Sequence, residues 1–279
     1  MRIIDAVLIT SVVKRLCIDA NRNLPEDVRE CIRHFREIES WPVAQDVLDK
    51  IITNFELAGE RQVPICQDTG MACVFLEIGA DVHIAGDINA AVDEGVRQGY
   101  HEGFLRKSVV QDPLDRVNTG DNTPAMVYVD FVPGDKVAIT VAPKGFGSEN
   151  MSQIKMLRPS DGLDGVIDFV LATVAAAGPN PCPPIVVGVG IGGTFDKAAL
   201  LAKKALLRPL GTWNPKASYA ELETSLLAKI NALGIGPQGF GGATTALSVA
   251  VEAMPTHIAG LPCAVNINCH VARHARELI

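Results

Sequence analysis

The 279 residues, 48% hydrophobic and 20% charged, suffice for a substantial core and lie in the globular range. With 25 Lys and Arg against 32 Asp and Glu, the chain is a poor candidate for binding nucleic-acid phosphates, and an anionic substrate would need a local basic pocket. Seven cysteines, an odd number in a chain too large to depend on disulfides, argue against a secreted disulfide framework and leave metal ligation, reactive chemistry or plain burial.

The apolar start, 1–16, contains Asp5, has only Arg2 before it and lacks a small-residue cleavage site, so an amphipathic helix is expected rather than a signal peptide. Three helices are expected in the first sixty residues: over 3–17, from a cap at Asn23 followed by Pro25, and over 43–57. Cys17 and Cys31 lie at helical spacing among apolar neighbours and are assigned to the core. From Cys66 the texture changes to short β-like runs at 72–78, 125–132 and 136–142, the last two joined by Pro133, Gly134 and Asp135 as a hairpin. Apolar residues at spacings of three and four mark helices over 87–104, 160–177, 194–207 and 218–233, with Ser218 and Glu221 as a capping box.

The apolar stretch 165–193 is broken by Asp168, Gly178, Pro179, Pro181, Pro183 and Pro184, which excludes a continuous membrane span. A strand is expected at 264–267 and a short helix at 270–278. No repeat or linker divides the chain. The expected architecture is mixed α/β, with a helical N-terminal layer (1–60) followed by a mixed sheet with helices (61–279), as a single domain over 1–279. The setting is expected to be cytoplasmic, with neither membrane nor nucleic acid as partner.

Three cysteines stand where periodicity stops and turn residues take over: Cys66 opens Cys-Gln-Asp-Thr-Gly, Cys182 lies within Pro-Asn-Pro-Cys-Pro-Pro, and Cys269 follows Asn-Ile-Asn at a strand end. Core packing does not ask for cysteine there, whereas a cluster does, because irregular backbone lets thiolates converge and frees amides for the sulfides. The gaps of 116 and 87 residues match no compact ferredoxin or zinc spacing, so burial remains the alternative. Three ligands instead of four would leave an iron open as a Lewis acid.

Seven strings carry a resemblance, in order: PICQDTG at 64–70, VNTGDNTPA at 117–125, APKGFGSENMS at 142–152, NPCPPIVVGVGIGGTFDKAALLAKKALLR at 180–208, GPQGFGG at 236–242, PTHIAGLP at 255–262 and NCHVARHA at 268–275. With them the chain resembles the alpha subunit of two-subunit class I (iron-sulfur) fumarate hydratases, relatives of the tartrate dehydratase alpha subunit. The resemblance implies a hydro-lyase of the tricarboxylic acid cycle that interconverts fumarate and L-malate, with one 4Fe-4S cluster on Cys66, Cys182 and Cys269 whose open iron faces the substrate. It implies that Gln67 and Asp68 contact substrate, with Asp68 positioning the proton-transfer group; apart from it, Asp68-Thr69-Gly70 is an ordinary Asx turn. Arg106 falls where the family holds a substrate carboxylate, its alternative being a solvated surface arginine. Gly147 would bring backbone amides to an anion, and His257 would support the acid/base machinery or else be structural.

The resemblance also places the proton-moving threonine on a beta subunit, making this chain inactive alone and part of a hetero-oligomer, with a homodimer as its isolated form. Gly-Ser-Glu-Asn at 147–150 looks like the fumarase version of its loop, so fumarate is expected, with tartrate or another dicarboxylate as the alternative. A redox or iron-sensing protein, or a zinc-binding or structural chain, would be of another class. Gly188, Gly190 and Gly193 spell the dinucleotide fingerprint without its acidic partner, and are expected to serve tight packing. Cys263, Cys269, His270 and His274 could be imagined as a zinc set, though surface spacing and, for Cys73 and Cys263, burial explain them as well.

Overall fold

The first helix begins where the Asp5 carboxylate accepts a hydrogen bond from the Val7 amide at 2.8 Å, satisfying an N–H that the helix itself leaves open. The computed structural model describes residues 1–279. In chain order its elements are β1 (Arg2–Asp5), α1 (Ala6–Arg22), α2 (Glu26–Ile38), α3 (Pro42–Arg61), β2 (Met71–Gly79), β3 (Val82–Ala85), α4 (Ile88–Glu102), β4 (Met126–Val132), β5 (Val137–Lys144), α5 (Phe146–Glu149), β6 (Gln153–Leu157), α6 (Gly162–Ala177), β7 (Ile185–Gly193), α7 (Phe195–Ala205), α8 (Ala217–Asn231), β8 (Ala246–Thr256), β9 (Leu261–Asn268) and β10 (Ala275–Leu278). The fold is mixed α/β, and its contacts gather into two compact units. No helix is long and apolar enough to cross a membrane.

Unit 1 comprises Met1–Pro25, Phe55–Gly145 and Arg273–Ile279. Its sheet runs β10-β5-β2-β4, and its core joins Ile9, Val12, Val13 and Leu16 of α1 to Val92, Val96 and Tyr100 of α4 and to Val74, Leu76, Ile139 and Val141 of the sheet. β4 and β5 are not the expected hairpin: β2 lies between them, parallel to β4 (Cys73↔Met126) and antiparallel to β5 (Met71↔Lys144). The unbroken buried run Ala72–Leu76 explains this, since a strand covered on both faces takes the centre whatever the nearby turn suggests. The expected C-terminal helix is also corrected. Residues 275–278 form β10, an edge strand on β5, with Glu277 paired to Arg15 at 2.5 Å and Arg276 to Glu77 at 2.5 Å. That alternation of partners is the period of a strand, not of a helix. Asn23 closes α1, its side chain donating to Asp19 Oδ1 at 2.7 Å, so it is not the cap of α2.

Unit 2 comprises Glu26–Asn54 and Phe146–Ala272, with a sheet ordered β6-β9-β7-β8. β7 sorts its side chains by parity. Ile185, Val187, Val189 and Ile191 join the core made with α6, α8, β8 and β9, while Gly188 and Gly190 face α7. A Cβ at either glycine would stand 2.1 Å from a carbonyl oxygen of that helix, Ala202 or Ala198. The glycine fingerprint is therefore the seat of a closely packed helix. Two expectations fail here: Ser218 lies inside α8, whose cap residue is Lys216, so it caps nothing, and β8 had no strand assigned to it.

Candidate functional site

In unit 1 the expected residues gather on the loop between α3 and β2. The Cys66 thiol donates to Gln67 Oε1 at 3.3 Å; Cys66 is half-buried and Gln67 exposed. Asp68 Oδ1 accepts from the Gly70 amide at 3.1 Å, so the Asx turn is present, and a Cβ added at Gly145 would stand 3.0 Å from Asp68 Oδ2. The loop is braced along its length. The Tyr100 hydroxyl donates to the Thr69 carbonyl at 2.7 Å, Asn122 Nδ2 donates to the Gly70 carbonyl at 3.1 Å, and the Arg273 guanidinium donates to the Asp68 carbonyl. Burial pushes the Tyr100 phenol well above its ordinary value, keeping it a donor.

Arg106 belongs to the same arrangement: the Thr69 hydroxyl donates to its carbonyl at 3.0 Å, and its side chain is exposed. Asn122 reaches this segment too, accepting from the Ser108 amide at 2.7 Å. VNTGDNTPA thus supplies a brace between two loops. Arg273 and Lys144 are both buried, and Nε and Nη1 of Arg273 have no partner. Together with Arg106 they make this part of unit 1 locally basic in an acidic chain.

In unit 2, β7 and β9 are antiparallel with Val186 opposite Asn268, so the loop before β7 and the residue after β9 share one end of the sheet. Cys182 is exposed in the first, Cys269 half-buried in the second. Their meeting is direct: the His270 amide donates to the Cys182 carbonyl at 3.3 Å. Gly147, on α5, borders the same loop, a Cβ there lying 3.8 Å from the Asn180 carbonyl. The neighbouring Glu149 is committed inside the unit, accepting from Lys203 Nζ at 2.6 Å and Asn266 Nδ2 at 2.7 Å.

His257 does not join them. It sits in the turn between β8 and β9, its Nδ1 accepting from the Ala259 amide at 3.2 Å. The length of β9 puts it on the order of 25 Å from Cys269. The other cysteines are core: Cys17, Cys73 and Cys263 are buried, and half-buried Cys31 points its thiol at the Leu247 carbonyl. Burial pushes the thiols of Cys17, Cys31 and Cys263 up to about 12, which keeps them protonated at neutral pH. In neither unit do three His, Cys, Asp or Glu side chains converge as ligands of one ion.

Residues 10–277 match the family model described as fumarate hydratase (fumerase). The chain belongs to this family. Among its relatives, the L(+)-tartrate dehydratase subunit alpha of Escherichia coli O157:H7 is 32% identical over 275 residues, covering 97% of this chain and 90% of that one. A Methanocaldococcus jannaschii protein that bears the same subunit name provisionally is 46% identical over 278 residues, 97% of each. The chain is therefore an alpha subunit of the class I fumarate hydratase type, in a family of hydro-lyases. Tyr100, Asn122, Arg273 and Gln238 escaped the sequence analysis, although all but Tyr100 lie inside the matching strings, and His270 entered it only in the zinc alternative.

Proposed function

We propose that this chain is the alpha subunit of a cytoplasmic hydro-lyase that, with a beta subunit, reversibly hydrates fumarate to L-malate, and that Cys66, Cys182 and Cys269 together hold one 4Fe-4S cluster. The observation carrying this is the division among the cysteines. Cys182 and Cys269 come to one end of a sheet outside the core and Cys66 lies in a braced loop, while burial holds the thiols of Cys17, Cys31 and Cys263 protonated. The donor set fits, because thiolates are the ligands such a cluster takes. Bound there, the cluster would supply a Lewis acid for the hydroxyl that is added or removed.

This chain's own part is binding and orientation. Arg106, exposed beside the Asp68 loop, offers a planar fork to one substrate carboxylate. Gln67 contacts the substrate, and Asp68, held by Gly70 and Arg273, positions the group that moves the proton. Gly147 brings backbone close to the anion. A role for His257 requires it to act away from the cysteine end of its own unit. The beta subunit supplies the proton-transfer group and the grip on the second carboxylate, so the chain alone is inactive.

A second reading, tartrate dehydration, draws support from the names of the relatives. Glu149, the residue of the 147–150 loop with the most reach, is turned to Lys203 and Asn266, so this loop does not settle the substrate. Anaerobic reconstitution with the beta subunit, followed by iron and sulfide analysis and by assays with fumarate, L-malate and L(+)-tartrate, tests both. Zero bound iron would sink the cluster, and turnover of tartrate alone would replace fumarate as the substrate.

A further inference from the structure

Neither Gln238 nor His270 has a part in the chemistry proposed above, yet the two meet at the loop of Cys182. Gln238 holds a left-handed backbone at φ +53°, as Cys182 does at φ +54°, a conformation uncommon outside glycine. Such backbone persists only where its surroundings over-determine it. The surroundings here are specific. The amide N–H and Nε2 of Gln238 both donate to the Pro183 carbonyl, each at 2.8 Å, and Nε2 lies 3.2 Å from His270 Nδ1. His270 donates its backbone N–H to the Cys182 carbonyl at 3.3 Å, with Nδ1 3.0 Å from that oxygen.

Gln238 Nε2 gives one hydrogen to the Pro183 carbonyl and faces His270 Nδ1, which also lies against the Cys182 carbonyl. Either tautomer ties His270 in: protonated at Nδ1 it donates to the Cys182 carbonyl, and unprotonated there it accepts from Gln238 Nε2. Cys182 is thus fixed through its own carbonyl and through that of the next residue, and Cys269 through the residue that follows it. β7 and β9 bring the two cysteines to one end of the sheet, and these bonds fix the backbone of the segments that run beyond it.

We infer that Gln238, acting through the Pro183 carbonyl and His270, is a positioning residue that holds the Cys182 and Cys269 loops together before any ligand arrives. Gln238→Gly suits the left-handed backbone and removes only the side chain. Gln238→Glu puts an acceptor where a donor is needed. The iron arm rests on the cluster proposed above. With the full chain reconstituted anaerobically with its beta subunit, both variants should release iron to a ferrous chelator on the order of tenfold faster than the wild type, at a nearly unchanged melting temperature. Equal rates overturn the inference.

A thiol arm does not depend on the cluster. Treatment of the metal-free full chain with a short bifunctional maleimide, followed by peptide mapping, should link Cys182 to Cys269, several-fold more slowly in both variants. Undiminished linking, or a loss of linking matched by a collapse of the melting temperature, overturns the proposal. His270→Ala should slow linking as Gln238→Gly does, and the double variant should add little, because both remove one connection; additive effects would sink it. If the wild type binds no iron, the cluster reading fails while the thiol arm still decides the role of Gln238.

Discussion

Cys17 and Cys182 carry the same side chain into opposite surroundings. The first is enclosed by α1, α4 and the sheet of unit 1, and burial lifts its thiol to about 12. The second stands exposed in a loop with left-handed backbone, open to a ligand. Serine at Cys66, Cys182 or Cys269 should therefore strip the reconstituted protein of iron and sulfide. Serine at Cys17 should keep both and instead cost about 1–3 kcal/mol of stability from an uncompensated buried hydroxyl, read by urea titration. A Cys17 variant without iron, or a Cys182 variant with it, would defeat the ligand assignment.

Arg106 gives a second test at this scale. Replacing its fork by an ammonium keeps the charge and loses the paired geometry. Arg106→Lys should lower kcat/KM by about tenfold to a hundredfold, as loss of a charge-assisted hydrogen bond does, with iron content unchanged. An unaltered kcat/KM would return Arg106 to the solvated surface. That residues 66, 182 and 269 stand outside the core was legible because turn residues surround a side chain that cores usually hold. Tyr100, Asn122 and Arg273 were not, because their bonds to the Asp68 loop span 31, 52 and 205 positions and leave no local spacing to find.

Among the elements, β7 and α7 show what a motif can and cannot tell. The glycine pattern was visible and its use in close packing followed from the missing acidic partner, yet the contact with α7 emerges only in the fold. Gly188→Ala puts a methyl against the Ala202 carbonyl and should cost about 1–3 kcal/mol by overpacking, measured by denaturant unfolding. A neutral result would mean that helix and strand can part without loss. The missed pairing of β4 and the misread C-terminal segment share a cause. A turn signal or a short run gives local shape, while partner choice depends on which strand is buried on both faces.

Glu39, just beyond α2, ties that helix to residues 243–244. Its carboxylate accepts from the Ala243 amide at 2.9 Å, the Thr244 amide at 3.0 Å and the Thr244 hydroxyl at 2.8 Å. Burial alone would raise its pKa, but the bonds from Trp41, Thr244, Ala243 and Ser40 outweigh this and hold it below the ordinary value. A group depressed in the folded state contributes stability above its unfolded pKa, about 4.3 for Glu, and loses it as the pH falls through the lower folded value. Melting temperatures followed from neutral pH into that acid range should fall. Glu39→Gln should melt lower at neutral pH and show a shallower acid dependence; an identical slope would exclude Glu39 as a source.

At the scale of the whole molecule, the net charge of −7 makes a dicarboxylate a like-charged guest that is repelled unless basic groups are gathered for it. Unit 1 gathers Arg106, Lys144 and Arg273 around the Asp68 loop, of which only Arg106 is exposed. One exposed guanidinium can hold one carboxylate. The second carboxylate and the proton need groups from elsewhere, and the beta subunit is where the proposed function puts them. Titrating beta subunit into a fixed amount of reconstituted chain, with fumarate loss followed by ultraviolet absorbance, should therefore give no turnover at zero beta. The rate should then rise and level off at a fixed ratio, because activity counts assembled pairs. Full turnover by this chain alone would mean that both grips and the proton group lie within its own residues, and the division of labour between subunits would have to be abandoned.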